Sequence, residues 1–337
     1  MHIKKQFWSD YSGGSVYQYT LSNGFMEVTV TNFGCAITSI NVPDLEKNKR
    51  NIVLGYDSFE EYLHDKYYMG AIVGRFANRI SGGILPVNKT VYQLPVNEPA
   101  NNNHLHGGFN GFNKKLFSVI SEEADDKKAT IIFKYRSEHM DEGYPGNLDV
   151  WITYELSITN QLVIRYEAQT DQDTHINLTN HTYFNLDPYE KSSIGQHLFI
   201  NSAQYLEDDE RFLPTGVIKW TDTAAYDFSG ARRIDKYWSD LANGYNTYYL
   251  LDKERMNVPD AILSSERSGI IVSIKTSFPG ILLYSGDYLG KPYLINQGIC
   301  LETQFCPDTP NRPEFPSTLL KEGEIFLHHT SYQFEAM

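Results

Sequence analysis

The two-residue alternation from Leu148 to Ile158 constrains this chain more than any other feature. Leu148, Val150, Ile152, Tyr154, Leu156 and Ile158 fall on one side, and Asp149, Trp151, Thr153, Glu155 and Ser157 on the other. Successive side chains of a β-strand point to opposite faces, so the pattern predicts a half-buried strand. Leu162, Ile164 and Tyr166 repeat it beyond a polar turn at Thr159-Asn160-Gln161, which predicts an antiparallel hairpin. Further strand-like runs are Met26–Thr31, Ile37–Val42, Thr130–Tyr135, Ile270–Thr276 and Ile281–Tyr284. Helical signals are few: Ser58 as a cap ahead of Glu60, Glu61 and Tyr62, and the stretch Asp235 to Leu241. There is no βα alternation, no phosphate-binding glycine loop and no long repeat. The expected fold is all-β: one large twisted antiparallel β-sandwich, with residues 1–337 as a single domain.

Charge narrows the function classes. The 337 residues carry 42 Asp+Glu against 29 Lys+Arg, a formal net charge of −13. Binding nucleic acid needs clustered Lys and Arg, and the densest basic runs are only Lys47 to Arg50 and Lys127–Lys128. Cys35, Cys300 and Cys306 are too sparse for a disulfide framework. No apolar run is long enough for a bilayer, the one near Ile270 being broken by Lys275 and Pro279. With no export signal visible, the expectation is a soluble cytoplasmic protein with free thiols, no nucleic-acid partner and no membrane partner.

Four segments carry chemistry. In His175 to Phe184 the alternation puts His175, Asn177, Thr179, His181 and Tyr183 on one face of a strand. These groups place donors and acceptors at fixed positions, which suits a ligand cleft; an uncharged solvent face is the alternative. In Asn101 to Gly108, His104 and His106 are two apart and would share a strand face. They could ligate a metal if a third group joined them, or sit as hydrogen-bonded imidazoles in a loop. In Cys300 to Cys306, Glu302 shares a face with Cys300, Gln304 and Cys306. With few charges nearby its carboxyl is expected to be desolvated and more basic, unless it is salt-bridged within the sheet. The two cysteines read as packing residues, because nothing visible lowers a thiol pKa. In Gly74 to Ile80, Arg75 and Arg79 flank Asn78 and offer forked donors for hydroxyls or carboxylates. Tyr144-Pro145-Gly146 and Leu213-Pro214-Thr215-Gly216 read as turns.

Taken in order along the chain, these segments resemble the galactose mutarotase (aldose 1-epimerase) family. The matching pieces are Gly74-Arg-Phe-Ala-Asn-Arg-Ile80, Asn103-His-Leu-His-Gly-Gly108, Asp141-Glu-Gly-Tyr-Pro-Gly146 and Asn177-Leu-Thr-Asn-His-Thr-Tyr-Phe-Asn-Leu186. Then come Leu213-Pro-Thr-Gly216, Tyr226-Asp-Phe228, Glu302-Thr-Gln304 and a Pro/Asn-rich stretch to Pro316. The resemblance implies a β-supersandwich with a sugar site in an open cleft, an aldose sugar as small-molecule substrate, no metal and no organic cofactor. It implies Glu302 as general base and His181 as general acid, with Arg79, His106, Asn246 and Asn78 binding the substrate. It gives Arg75 and His104 no role. A monomer or homodimer is expected.

Two positions depart from the family pattern. Where the family carries Gly-x-Asp-His, this chain has Gly244-Tyr-Asn246-Thr247, and Asn weakens charge-assisted hydrogen bonding. Where some members have a sugar-contacting Gln, this chain has Leu282. The sugar is therefore left open between galactose, glucose and maltose. Rival readings are a glycoside hydrolase, for which Asp287 or Asp308 would partner Glu302, a metal enzyme using His104, His106 and Glu302, and a non-catalytic sugar-binding protein.

Overall fold

The computed structural model describes residues 1–12, 14–187, 192–255 and 257–336. The alternation resolves as expected: Leu148–Ser157 is a strand whose even-numbered residues are buried, paired antiparallel with Gln161–Thr170 in the register Leu156 to Leu162. Ile158 differs. It lies beyond the strand end, is half exposed, and leads into a turn in which Asn160 takes a positive φ.

This hairpin is the centre of a nine-stranded antiparallel sheet. Ser118–Ala124 and Lys128–Ser137 extend it on one side. Ile325–Ala336, Ile270–Thr276, Ala261–Ser264, His197–Ile200 and Arg232–Arg233 extend it on the other. A six-stranded antiparallel sheet runs Tyr183–Phe184, Ile299–Gln304, Gly280–Tyr284, Asn246–Leu250, Gln204–Asp208 and Pro214–Trp220. The N-terminal strands from His2–Tyr11 to Lys49–Asn51 form a five-stranded meander in chain order. The fold is thus all-β and sandwich-like. Ile152 and Ile164 of the large sheet, Val28 and Ile40 of the meander, and Ile281, Leu283 and Leu301 of the six-stranded sheet share one buried cluster. Thr303 bonds Thr330 across the two large sheets at 2.5 Å.

The helical signals hold. Ser58 caps the helix Phe59–Leu63 in a capping box with Glu61. Ile234–Asp240 is 3₁₀, kinked at Tyr237. Two readings need correction. His175 to Phe184 is not one strand: Thr174–His175, Thr179–Asn180 and Tyr183–Phe184 are separate two-residue strands with different partners. Every residue in the segment is buried, so its alternation does not mark a solvent side. Leu213-Pro214-Thr215-Gly216 is not the turn. The turn lies at Asp209 to Phe212, and Pro214 opens a strand, a position that needs no ladder N–H.

Candidate functional site

The alternation of Ile299–Gln304 gives each side chain its environment. Leu301 faces the main core, while Glu302, paired with Leu282 of Gly280–Tyr284, points to the other face of the sheet. That face floors a cavity of about 430 Å³, within the usual range of small-molecule sites. Glu302, His181, Arg79, His106, Asn246 and Asn78 all line it, brought together from across the chain.

Glu302 is 1% exposed, and its Oε2 has no hydrogen-bond partner. Burial raises its pKa to about 8, against the opposing pull of Arg79. The expected desolvation is therefore present. His181 Nε2 lies 3.6 Å from Glu302 Oε1, too long for a direct hydrogen bond. Burial lowers the His181 imidazole to about 4. Between these two values the pair holds one proton in total, as two neutral groups or as an ion pair. Neither group keeps the ordinary value of its residue type. Backbone bonds hold His181 in place: its N–H donates to Ala71 O at 2.9 Å, and Gly70 N–H donates to its carbonyl at 3.0 Å. Cys300 Sγ contacts its Nδ1 at 3.5 Å, and burial pushes that thiol well up, so it stays protonated.

His106 and His104 do not share a face. His104 lies within the strand Asn103–Leu105, and its ring is used up by Pro95 O at 2.8 Å and Tyr144 Oη at 2.7 Å. His106 leaves that strand with φ 52°, which turns its ring into the cavity. Gly107 permits the turn: a Cβ there would meet Gly74 O at 1.8 Å. His106 Nδ1 accepts the Asn78 N–H at 3.2 Å, which leaves Nε2–H as a donor. Its pKa lies well below the ordinary value, by burial first and then by His181 and Arg79.

Arg79 sits on the short strand Arg79–Ser81, paired with Asn103–Leu105. Its Nε and Nη2 donate to the two oxygens of Glu98 at 3.0 and 2.9 Å, and its guanidinium lies 4.9 Å from the Phe212 ring centre. Asn78 holds the preceding turn with φ 67°. Asn246 opens the strand Asn246–Leu250 opposite Tyr284. Arg75 is outside the cavity lining. It is 2% exposed and donates to Ser137, Glu138 and Pro145, a clamp between loops.

Of the polar face expected in His175 to Phe184, only His181 and Tyr183 reach the cavity. His175 and Asn177 bond neighbouring loops instead. The candidate carboxylates Asp287 and Asp308 do not line it; they accept from Ser285 and Asn296, and from Ser81 and Asn311. Glu98, Tyr68, Phe212 and Tyr288 do line it, and no sequence signal marked them. Ligand atoms of His106, His181 and Glu302 lie within 4.8 Å of one another, close enough to bridge a cation, and His104 is not among them. In chemical terms the cavity offers one buried carboxyl–imidazole pair, a neutral imidazole donor and a fixed guanidinium.

Comparison with known proteins identifies the family. The family model for aldose 1-epimerase matches residues 17–333. The galactose mutarotase of Rattus norvegicus is 36% identical over 96% of this chain and 95% of its own. The aldose 1-epimerase of Escherichia coli K12 is 32% identical over 94% of each. Among solved structures, an aldose epimerase homologue from C. elegans superposes with a TM-score of 0.88 at 27% identity, covering 99% of this chain and 100% of that one. The galactose 1-epimerase of Lactobacillus acidophilus NCFM gives 0.87 at 28%, covering 99% of each. The chain belongs to the aldose 1-epimerase family and is an isomerase of the mutarotase type.

Proposed function

We propose that this protein interconverts the α and β anomers of free aldohexoses, galactose and/or glucose, with Glu302 as general base and His181 as general acid. The observation that carries the reading is the buried carboxyl and imidazole, 3.6 Å apart on the cavity wall, with burial shifting their proton affinities in opposite directions. In the ion-pair form of the pair, with the shared proton on His181, Glu302 takes the proton of the anomeric hydroxyl while His181 gives one to the ring oxygen. The bond between anomeric carbon and ring oxygen breaks, leaving an open-chain aldehyde. Rotation about the bond to C2 presents the other carbonyl face, and the reversed transfers close the ring and restore the pair. His106 Nε2–H donates to a sugar oxygen, and Arg79, Asn78 and Asn246 hold hydroxyls. The substrate class is supported by the relatives named galactose mutarotases. Residues 1–337 act as one domain in this reading, since Arg79 and Glu302 line the same cavity.

The test is the decay of freshly dissolved α-D-galactose, glucose and maltose, followed by polarimetry or NMR against a no-protein control. Acceleration is expected, with Glu302→Gln and His181→Asn each losing most of it. No acceleration of any sugar, with binding retained, would make this a sugar-binding protein. Maltose is a second reading because aromatic side chains edge the cavity: Tyr288 is 58% exposed and its ring centre lies 6.2 Å from that of Phe212.

A further inference from the structure

Tyr68 has a positive φ of 56°, a backbone conformation that bulky residues rarely adopt. Such outliers persist only where the surroundings over-determine them, and they cluster at functional sites. The surroundings here are specific. Asp65 accepts the N–H of Tyr67 at one carboxylate oxygen and of Met69 at the other, both at 2.9 Å, so it brackets Tyr68 on either side. Asp65 is itself fixed by the Tyr56 hydroxyl at 2.8 Å, and its carbonyl by Lys114 Nζ at 2.7 Å. The Tyr68 carbonyl accepts Ala71 N–H at 3.1 Å, and the next residues, Gly70 and Ala71, hold the backbone of His181.

The ring this loop presents lies against both cavity imidazoles. Its centre is 4.6 Å from that of His106 and 5.8 Å from that of His181, whose own rings meet edge-on at 5.3 Å. Tyr183 packs on His181 at 5.0 Å from another side. One short loop thus grips His181 through its backbone and both imidazoles through a ring. We infer that Tyr68 is a positioning residue: it is held in a strained backbone conformation so that its ring sets His106 and His181 against the sugar. This rests on the acid–base reading above. It is the ring that acts, because the hydroxyl is not needed for either contact.

The experiment compares Tyr68→Phe, Tyr68→Asn and Asp65→Ala with the parent in the mutarotation assay. Asn tolerates the positive φ, so that variant removes the ring and spares the loop. Tyr68→Phe is expected within about twofold of the parent, and Tyr68→Asn to lose about tenfold or more in kcat with a smaller change in KM. Asp65→Ala releases the bracketing N–H groups and is expected to fall in the same direction. Equal kcat for Tyr68→Asn and the parent would overturn the inference, as would a Phe variant as impaired as Asn. A parent that does not accelerate mutarotation at all would instead overturn the acid–base reading. In that case the ¹⁵N imidazole signals of His106 and His181 in the sugar-free protein decide the positioning role. Positioning is upheld if those signals broaden or double in Tyr68→Asn but not in Tyr68→Phe, and lost if they stay single and sharp in both.

Discussion

Replacing Glu302 by glutamine is expected to remove activity and add stability, by an amount that depends on pH. The carboxyl is buried, Oε2 lacks a partner, and burial raises its pKa from 4.5 to about 8. A carboxyl raised by folding contributes stability that is complete below its unfolded value and is lost as pH rises through its folded value. Each tenfold change in proton affinity is worth about 1.4 kcal/mol. Keeping Glu302 protonated at neutral pH therefore costs about 3 kcal/mol, and above the folded value the cost levels at about 5 kcal/mol. Glutamine has the shape of the neutral carboxyl and never ionises, so it escapes this cost.

The opposite shift of His181 does not blur the comparison. An imidazole lowered to about 4 contributes stability that is present above its unfolded value of 6.5 and is lost as pH falls through its folded value. That window contains the pH 5 point, but His181 is present in both proteins, so its contribution enters both sides of the difference. Urea unfolding of parent and Glu302→Gln at about pH 5, 7 and 9 is expected to show the variant ahead by under about 1, about 3 and about 5 kcal/mol. A lead that does not grow with pH, or a variant less stable than the parent at the highest pH, would refute the assignment of a desolvated carboxyl. Catalytic sites commonly trade stability for chemistry in this way.

Three further outcomes follow from the same geometry. Mutarotation is expected to rise with an apparent pKa near 4 and fall with one near 8, because only between them does the pair hold one proton; a rate profile flat across the upper value in a pH series contradicts this. Arg79→Lys keeps the charge but cannot reproduce two N–H bonds to Glu98 together with the contact over Phe212, so KM is expected to rise about tenfold, and an unchanged KM in sugar titrations counts against a binding role. Asn246→Asp is expected to change the ranking of galactose, glucose and maltose by kcat/KM, and an identical ranking would show that Asn246 is not a specificity contact.

The fold was legible wherever one side of a strand is buried and the other wet. Leu148–Ser157 is such a strand, and Ile270–Thr276 matches its expected ends. Where both sides are buried, alternation still separates the two faces of a regular strand, as in Ile299–Gln304, but no longer marks one of them as wet. His175 to Phe184 fails because it breaks into three two-residue strands with different partners; His175 and Asn177 bond neighbouring segments, Thr179 Oγ1 has no partner among the described residues, and only His181 and Tyr183 of that face reach the cavity. His104 and His106 fail for another reason. A positive φ at His106 ends the strand geometry, and no rule of spacing foresees a left-handed histidine. Glu98 and Tyr68 were invisible because their neighbours, Arg79 in one case and two imidazoles in the other, are assembled by strands and loops distant in sequence.

The two members of the proposed acid–base pair, Glu302 and His181, come from different segments of the chain. Glu302 is fixed by ladder bonds in the six-stranded sheet, on the face opposite Leu301. His181 is held by the loop at Gly70 and Ala71 on one side and, two residues on, by Tyr183, which pairs with Cys300 on the Glu302 strand; Arg79 and His106 come from the two-stranded ribbon and the turn after it. The 3.6 Å separation of the pair is therefore set by strand pairing and loop packing, not by closeness in sequence. Packing also keeps the pair dry: Tyr68, Tyr183 and His106 surround His181, and Leu282 lies beside Glu302. Burial raises one group and lowers the other, so both proton affinities lie far from bulk values. A substitution that admits water, even one touching neither Glu302 nor His181, should then move both groups back toward ordinary values and narrow the pH range of activity from both ends.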